Sequence, residues 1–311
     1  MYPSVGDVSW RGSFIKEQLD AYLEHYGDAK IDVFHIKGSV SGGNNFNYLA
    51  NYPKLLRKLL FGRFDIVHCH HSFCVLLCIP WFYRLIYTIH EGELNNTSLR
   101  SWLIKLAIHF TKIPIFVSKN EFDKSKRKEK KLLPCGVNFD IFKPATDKVF
   151  LRKLMKLPLD QKIILFPADP NRPEKNAFIL KMAEITSLHK NRKWKFVYGG
   201  EIPKVEMPNW MAAADVVVSI GKYESDGLVV KEAIACNTAI LSTDVGNSNY
   251  YINSSCGLVV TANQDAVYSG LETILDNLTT FSCGRERLRS LGQDMGSVSI
   301  RLNNIYMQSY K

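Results

Sequence analysis

Short apolar runs alternate with longer amphipathic stretches along the whole chain. In the first half, the runs with the composition of strands cover residues 31–36, 65–68, 85–89 and 113–117. In the second half they cover residues 163–167, 195–198, 216–220, 238–242 and 257–260. Several of these runs are continuous in Val, Ile and Leu, which is typical of strands that are covered on both faces.

Apolar residues at helical spacing lie between the strand candidates, most clearly in 14–24, 177–188 and 228–235. Repeated strand–helix–strand order predicts an α/β protein with parallel sheets and right-handed crossovers. A chain of 311 residues is long enough for two such domains. The turn-forming segment 143–147 interrupts the pattern, so we place an N-terminal domain at 1–150 and a C-terminal domain at 151–311.

The start of the chain departs from this pattern. A doubly wound domain usually opens with an apolar strand that leads into its first glycine loop. Here a loop-like segment, 2–13, comes first and contains Gly12. We therefore expect the N-terminal domain either to lack its first strand or to result from a late start of the chain.

The balance of charge narrows the choice of partners. The chain has a formal net charge of +10, which favours nucleic acid, a phospholipid surface or a phosphorylated ligand. The densest basic run, 124–131, is either a solvated surface or a binding patch. It lacks the interleaved aromatic residues on which single-stranded nucleic acids stack, and we expect no nucleic-acid partner.

Cysteine usage and hydropathy indicate the compartment. The number of cysteines, seven, is odd, and no two of them form a C-x-x-C motif, so they predict neither a disulfide framework nor a zinc ribbon. The longest apolar run, 73–83, is interrupted by Pro80 and is too short to span a bilayer. We expect a cytoplasmic protein and leave open a peripheral contact with the inner, anionic face of a membrane.

Two glutamates eight positions apart mark the first candidate site. Glu224 follows the predicted strand 216–220, and Glu232 lies inside the next helix. The carboxyl end of a strand and the start of the following helix form the usual ligand crevice of an open α/β sheet, and the helix start favours phosphate. Acidic side chains there would accept sugar hydroxyls, or they would merely stabilise the start of the helix.

The surrounding residues carry a resemblance. Residues 212–215 read Ala-Ala-Ala-Asp before the strand, 232–236 read Glu-Ala-Ile-Ala-Cys after it, and 242–246 read Ser-Thr-Asp-Val-Gly. This order and spacing resembles the retaining GT-B glycosyltransferases of family 4, the glycosyl transferases of group 1. Upstream, Arg172 and Lys175 lie in a segment similar to the family's Arg/Lys loop, where they could bracket a diphosphate; Lys175 is the stronger assignment.

The first half matches the same family less closely. Residues 64–71 resemble the family's strand end before two histidines, and 133–144 resemble its P-x-G-V segment. Thr88-Ile89-His90 is similar to the motif whose histidine approaches the donor sugar. Gly12 lies in a segment similar to the glycine loop whose backbone faces the phosphates.

The resemblance implies a fold and a reaction. It implies two Rossmann-like domains that face each other across a cleft and close during catalysis, with transfer of a sugar from a nucleotide-sugar to a glycan, lipid-linked or small-molecule acceptor. It implies catalytic roles for His90, Glu224, Arg172 and Lys175. The implied donor-binding residues are Gly12, Arg172, Lys175, Glu224, Ser225, Gly227, Leu228 and Glu232.

Two alternatives remain beside this hypothesis. Ser225 and Asp226 depart from the family pattern, and Asp226 would add a negative charge where the diphosphate should lie, so a weakened relative that binds a nucleotide-sugar or a partner protein is the main alternative. A nucleic-acid-binding protein is the second. We expect no metal and no other cofactor, because the spacing of His68, His70, His71, Cys74 and Cys78 fits no standard zinc site.

Overall fold

The computed structural model describes residues 12–36, 46–90 and 98–310. The chain divides into two compact units. Unit 1 comprises Met1–Gly136 and Met295–Lys311, and unit 2 comprises Val137–Asp294. Each unit contains a parallel sheet with helices against it, which confirms the predicted α/β class.

Among its described residues, unit 1 contains a four-stranded sheet in the order β1-β2-β3-β4, and all its neighbouring strands are parallel. Its strands are β1 (Val67–Cys69), β2 (Leu85–Ile89), β3 (Ile113–Phe116) and β4 (Lys131–Leu132). Its helices are α1 (Ser13–His25), α2 (Phe46–Phe61), α3 (Ser72–Leu77), α4 (Leu99–His109), α5 (Lys119–Lys124) and α13 (Met295–Tyr310), together with a 3-10 helix over Ile79–Arg84.

The predicted strand at 31–36 is wrong. These residues are described, and they form no strand. None of the four described strands of unit 1 pairs with them, and a strand needs a neighbour to satisfy its backbone groups. Ile31 and Val33 are exposed, whereas Ile36 is buried. The loop-like start at residues 1–11, with the question of a missing first strand, lies outside the described residues.

Unit 2 contains a five-stranded parallel sheet in the order β6-β5-β7-β8-β9. Its strands are β5 (Lys162–Phe166), β6 (Trp194–Tyr198), β7 (Val216–Ser219), β8 (Ala239–Thr243) and β9 (Gly257–Val260). Its helices are α6 (Lys148–Leu154), α7 (Ala177–His189), α8 (Met207–Ala213), α9 (Leu228–Ala235), α10 (Ser248–Tyr251), α11 (Gln264–Asp276) and α12 (Gly284–Ser290). All five strands predicted for the second half are present, with small shifts of their ends.

Strand β5 shows why these strands read as continuous apolar runs. Ile163 and Leu165 pack in a cluster with α9, whereas Ile164 and Phe166 pack in a second cluster with α7 and α11. Successive side chains of a strand point to opposite faces, so a strand with helices on both sides needs apolar residues at every position.

The division of the chain differs from the predicted 1–150 and 151–311. Unit 2 begins at Val137, and the chain returns to unit 1 at Met295. Helix α13 completes the core of unit 1, where Val298, Leu302 and Ile305 pack with β2 and β3. The turn at 143–147 predicted the boundary too late, because it only precedes α6, which already belongs to unit 2.

Candidate functional site

The strand order of unit 2 creates a crevice at one point of the sheet. The chain leaves β5 for β6 on one side and returns to β7 on the other, so α7 and α9 lie on opposite faces. In open parallel sheets, ligands bind outside the carboxyl ends of the strands at such a switch point. Here the loops that follow β5 and β7 flank the crevice.

Lys175 and Glu224 meet at this point. The loop after β5 carries Lys175 and the loop after β7 carries Glu224, and the Lys175 ammonium donates a hydrogen bond to Glu224 Oε1. Both side chains are largely buried. The contact joins residues 49 positions apart, so the fold rather than local sequence brings the two predicted site residues together.

Backbone contacts fix the two loops relative to each other. The backbone N–H of Lys222 donates to the Glu174 carbonyl at 2.8 Å, and the Asn176 amide donates to the Ile220 carbonyl at 3.0 Å. A third loop, after β6, also approaches closely, since a Cβ on Gly199 would lie 2.2 Å from the Pro167 carbonyl oxygen. Three neighbouring loops, after β5, β6 and β7, are therefore packed together, and the residues on either side of Lys175 are hydrogen-bonded to the loop after β7.

Arg172 is placed differently from Lys175. Its guanidinium pairs with Glu174 two residues away, with Nε at 2.8 Å and one terminal nitrogen at 2.6 Å from Oε1. Both side chains of this pair are about half exposed. The structure therefore brings Lys175, but not the Arg172 side chain, into contact with Glu224.

Asp226 is a buried structural residue and does not face a diphosphate as its sequence position suggested. Its carboxylate pairs with the fully buried Lys231 ammonium at 2.6 Å. It also accepts hydrogen bonds from the Asn247 amide at 2.6 Å and the Tyr251 hydroxyl at 2.5 Å. Because its charge is compensated inside the loop, Asp226 gives no ground for expecting weak donor binding, and one support of the non-catalytic alternative is lost.

The same network holds the start of α9. Gly227 adopts φ 90° as the residue before the helix, a conformation that favours glycine. Gly246, at φ 61°, lets the turn after β8 pack on this loop, since a Cβ there would lie 3.1 Å from the Asp226 carbonyl carbon. Ser225 and Leu228, both partly buried, flank Gly227 at the positive end of the helix dipole.

Glu232 lies one helical turn into α9 and is partly buried. Together with Glu224 it places two carboxylates around the amino-terminal end of the helix. Of the sequence-predicted residues in unit 2, Lys175 and Glu224 are in contact, whereas Arg172 lies on an exposed part of the loop after β5. Ser225, Gly227, Leu228 and Glu232 lie at or near the start of α9.

Unit 1 contains a second cluster, around His90. His90 directly follows β2, and its Nε2 lies 3.1 Å from Nδ1 of His70, which follows β1. Its other ring nitrogen lies 4.0 Å from Cys135 Sγ. The edge of the Phe14 ring contacts the His90 ring with centroids 4.8 Å apart. His90 is thus held on three sides by residues of its own unit.

Burial keeps these histidines neutral. It lowers the pKa of His70 to about 4 and the pKa of His90 well below its ordinary value, the latter with a further contribution from His70. Burial also lowers the pKa of His68, whose ring nitrogens lie 2.7 Å from the Thr88 and Tyr306 hydroxyls. A neutral imidazole can exchange a hydrogen bond with a substrate hydroxyl, but it carries no charge to offer a phosphate.

Gly12 lies immediately before α1, two residues before Phe14, and adopts φ 70°. The left-handed backbone explains why a glycine stands there. Through Phe14, the structure brings the described end of this segment, Gly12 to Phe14, close to His90 at the carboxyl edge of the unit 1 sheet.

Sequence reasoning missed several residues that support these two clusters. Lys231, Asn247 and Tyr251 hold Asp226, and His70 and Cys135 lie against His90. The sequence contains one signal for these residues. Asp226 lies five positions before Lys231 at the start of an otherwise apolar helix, and this arrangement predicts a buried ion pair. His68 and His70, whose spacing fits no standard zinc site, each have a hydrogen-bonding partner within unit 1.

Comparison with known proteins now adds to this geometry. Residues 181–277 match the model of the family described as Glycosyl transferases group 1. A curated relative, an uncharacterized 41.2 kDa protein in the cps region of Klebsiella pneumoniae, is 22% identical over 308 residues, which cover 86% of this chain and 85% of that protein.

Solved structures share the architecture. Sucrose-phosphate synthase from Thermosynechococcus elongatus aligns with a TM-score of 0.75 at 20% identity, covering 96% of this chain and 93% of that one. HepE from Anabaena, solved in complex with UDP and glucose, aligns with a TM-score of 0.70 at 13% identity and covers 97% of both chains.

The chain therefore has the GT-B fold. Its resemblance to the group 1 glycosyltransferases is confirmed, with the family model matching the part of unit 2 that runs from α7 to the end of α11 and includes Glu224 and Glu232.

Proposed function

We propose that this protein is a retaining glycosyltransferase of group 1 that takes its sugar from a nucleotide-sugar. The observation that carries the proposal is the meeting of Lys175 and Glu224 at the switch point of the unit 2 sheet. An ammonium and a carboxylate side by side suit a ligand that is anionic at one end and rich in hydroxyls at the other.

Lys175 is assigned to the diphosphate. Negative charge grows on the departing nucleoside diphosphate as the glycosidic bond breaks, and a fixed ammonium stabilises that charge without having to move. The bond to Glu224 and the three packed loops hold Lys175 in place before the donor arrives. The backbone N–H groups at the start of α9, next to Gly227 and Leu228, and Arg172 on the loop after β5 would add to this stabilisation.

The two glutamates are assigned to hydroxyl groups. Glu232, within α9, would accept from the ribose, and Glu224 would accept from the sugar while sharing Lys175 with the diphosphate. His90 would exchange a hydrogen bond with the sugar, and the backbone at Gly12 would face the phosphates. A neutral His90 suits this role, since its lowered pKa keeps one ring nitrogen as an acceptor.

We propose retention at the anomeric carbon, an oxocarbenium-like transition state and no covalent intermediate, because no carboxylate is assigned as a nucleophile. The acceptor would be a glycan, a lipid-linked sugar or a small molecule, and the protein would work in the cytoplasm without a metal. The match to the group 1 glycosyl transferases supports a role in making glycans, and HepE, solved with UDP and glucose, supports UDP-glucose as the first donor to test. Peripheral contact with an anionic membrane surface is part of this proposal.

Calorimetric titration with UDP and with UDP-glucose tests the donor site. Lys175→Ala and Glu232→Ala should each weaken binding by on the order of 1.5–3 kcal/mol, the value of a charge-assisted hydrogen bond. Lys193→Ala is the matched control, because Lys193 is exposed and its nearest carboxylate, on Asp160, is 3.8 Å away. Unchanged affinity in both site variants would sink the assignment.

A second measurement separates the enzyme from a non-catalytic relative. The wild-type protein should release UDP or another nucleoside diphosphate from its donor when acceptor is supplied, and slowly by hydrolysis when it is not. Nucleotide-sugar binding with no turnover under any acceptor condition would favour the non-catalytic alternative.

A further inference from the structure

The segments that enter the four strands of unit 1 collect at one edge of its sheet. All four strands are parallel, so the residues that precede them share the amino-terminal edge, opposite to His90. These segments are 61–66, 79–84, 110–112 and 125–130. Together they hold seven Lys and Arg residues against two acidic residues, Asp65 and Glu129.

Hydrogen bonds join these segments without cancelling their charge. Arg84 donates to the Phe64 carbonyl at 2.6 Å, and Arg127 donates to the Thr111 carbonyl at 2.8 Å. Lys130 donates to the Phe122 and Ser125 carbonyls at 2.5 and 2.6 Å. A carbonyl carries no formal charge, so these bonds position the cations and leave the positive potential of the edge in place.

Large apolar side chains are exposed along the same edge. Phe61 is 79% exposed at the end of α2, and Phe82 and Tyr83 are 58% and 48% exposed in the 3-10 helix before β2. The Arg84–Phe64 bond brings these two segments together. Exposed aromatic residues among cations are the pattern of a surface that inserts at the boundary between lipid headgroups and acyl chains.

We propose that this edge docks on a bilayer surface that contains anionic phospholipid. The surface is named here the basic-aromatic edge and is defined by Phe61, Phe82, Tyr83, Arg84, Lys126 and Lys128. Lys126 and Lys128 are exposed and would contact headgroup phosphates, while the aromatic rings enter the interface. A nucleic acid would satisfy the cations but would leave Phe82 and the neighbouring exposed Leu60 in water.

The distribution of charge between the two units supports a bilayer contact on unit 1. Unit 1 contains 21 Lys and Arg residues against 12 Asp and Glu, whereas unit 2 contains 19 against 18. Among the described residues, no helix is long and apolar enough to cross a bilayer, so a bilayer contact made by the described part of the chain would be peripheral. The inference gives a location to the membrane contact in the proposed function, but it does not require glycosyl transfer.

Co-sedimentation of the full chain with vesicles tests the inference. Vesicles of phosphatidylcholine with added phosphatidylglycerol should bind the protein, vesicles of phosphatidylcholine alone should bind it much less, and raising the salt should weaken the difference. Lys126→Gln with Lys128→Gln should reduce partitioning roughly 20-fold, since each cation near an anionic surface contributes on the order of a fivefold change. Phe61→Ser with Phe82→Ser should reduce it at least about tenfold.

The control is a pair of equally exposed apolar residues in unit 2. Phe178→Ser with Leu188→Ser removes side chains that are 73% and 64% exposed on α7, and it should leave vesicle binding unchanged. Melting temperatures report whether each variant still folds; if the aromatic variant does not fold, the lysine variant decides alone. Equal binding to neutral vesicles overturns the inference. So does a failure to bind any vesicle while single-stranded DNA is bound through the same lysines.

Discussion

The two units share an architecture but use charge in opposite ways. In unit 2, positive and negative residues are nearly balanced, and its most buried charges neutralise each other, as Asp226 and Lys231 do. In unit 1, the surplus is positive, and burial lowers the pKa of His68, His70 and His90, which keeps these histidines neutral. Under the two proposals, unit 2 would hold a charged ligand in its crevice, and unit 1 would present a positive potential to a large anionic surface.

The largest expected effect comes from breaking the buried pair of unit 2. Asp226→Ala should destabilise this unit by about 3–5 kcal/mol, because it leaves the Lys231 ammonium fully buried without its carboxylate. Asp160→Ala, which removes the exposed partner of Lys193, is the control and should cost under about 0.5 kcal/mol. Urea unfolding measures both, and a wild-type midpoint for Asp226→Ala would show that the pair carries little of the stability of unit 2.

A double variant tests whether the ion pair itself accounts for the loss of stability in Asp226→Ala. Asp226→Asn with Lys231→Met removes both charges and should restore most of the loss, since an apolar residue can replace a buried ion with little net cost. If the double variant is as unstable as Asp226→Ala, the hydrogen bonds from Asn247 and Tyr251, rather than the ion pair, dominate.

Acid should act on unit 1 through its histidines. The pKa of His70 is about 4 in the folded protein, below the ordinary value of 6.5, so the unfolded chain binds more protons between these pH values. The contribution of His70 to stability is therefore fully present above pH 6.5 and is lost as the pH falls towards 4. His70→Asn should flatten this part of the profile of melting temperature against pH. His109→Asn is the control, and a profile unchanged by His70→Asn contradicts the assignment.

A smaller effect on stability is expected from the contact between Tyr306 of α13 and His68. Tyr306→Phe removes the hydroxyl that lies 2.7 Å from His68 Nδ1, and one hydrogen bond contributes about 0.5–1.5 kcal/mol. The change should lower the stability of unit 1 and leave the binding of UDP by unit 2 unaltered. Weaker UDP binding in this variant would mean that the two units are not as independent as their separate cores indicate.

Metal removal should have no effect. The proposed stabilisation of the leaving diphosphate rests on Lys175 and backbone N–H groups, so turnover should survive EDTA. Loss of activity with EDTA and its return with Mn²⁺ or Mg²⁺ would show that a cation supplies the charge that we assign to Lys175.

The sequence predicted unit 2 better than unit 1 for a physical reason. In unit 2, the central strands β5 and β7 are buried along almost their whole length, so their sequences are continuous apolar runs. The segment 31–36 alternates apolar residues with Asp32 and His35, a pattern that also favours a strand, but strand formation needs a neighbour, and composition contains no information about neighbours. The Lys175–Glu224 contact could be anticipated from the family resemblance, whereas the role of Asp226 depends on Asn247 and Tyr251, which only the fold brings near.

The basic-aromatic edge illustrates the same limit. The basic run 124–131 contains no aromatic residue, so its composition alone does not distinguish an interaction surface from a solvated one. The aromatic residues come from two other connections, 61–66 and 79–84, that enter parallel strands at the same edge. A surface assembled from several connections has no motif, because its members are separated by the helices that lie between them.

The return of α13 to unit 1 has a consequence for synthesis on the ribosome. Unit 2 is one continuous segment, Val137–Asp294, and is complete before α13 has been translated. The described strands of unit 1 are translated before unit 2, yet the side chains that close its core, Val298, Leu302 and Ile305, are translated after it. Domains that are continuous in sequence usually fold in the order of their translation. Here the order is inverted, because unit 2 can reach its native state while part of the apolar core of unit 1 is still exposed to solvent.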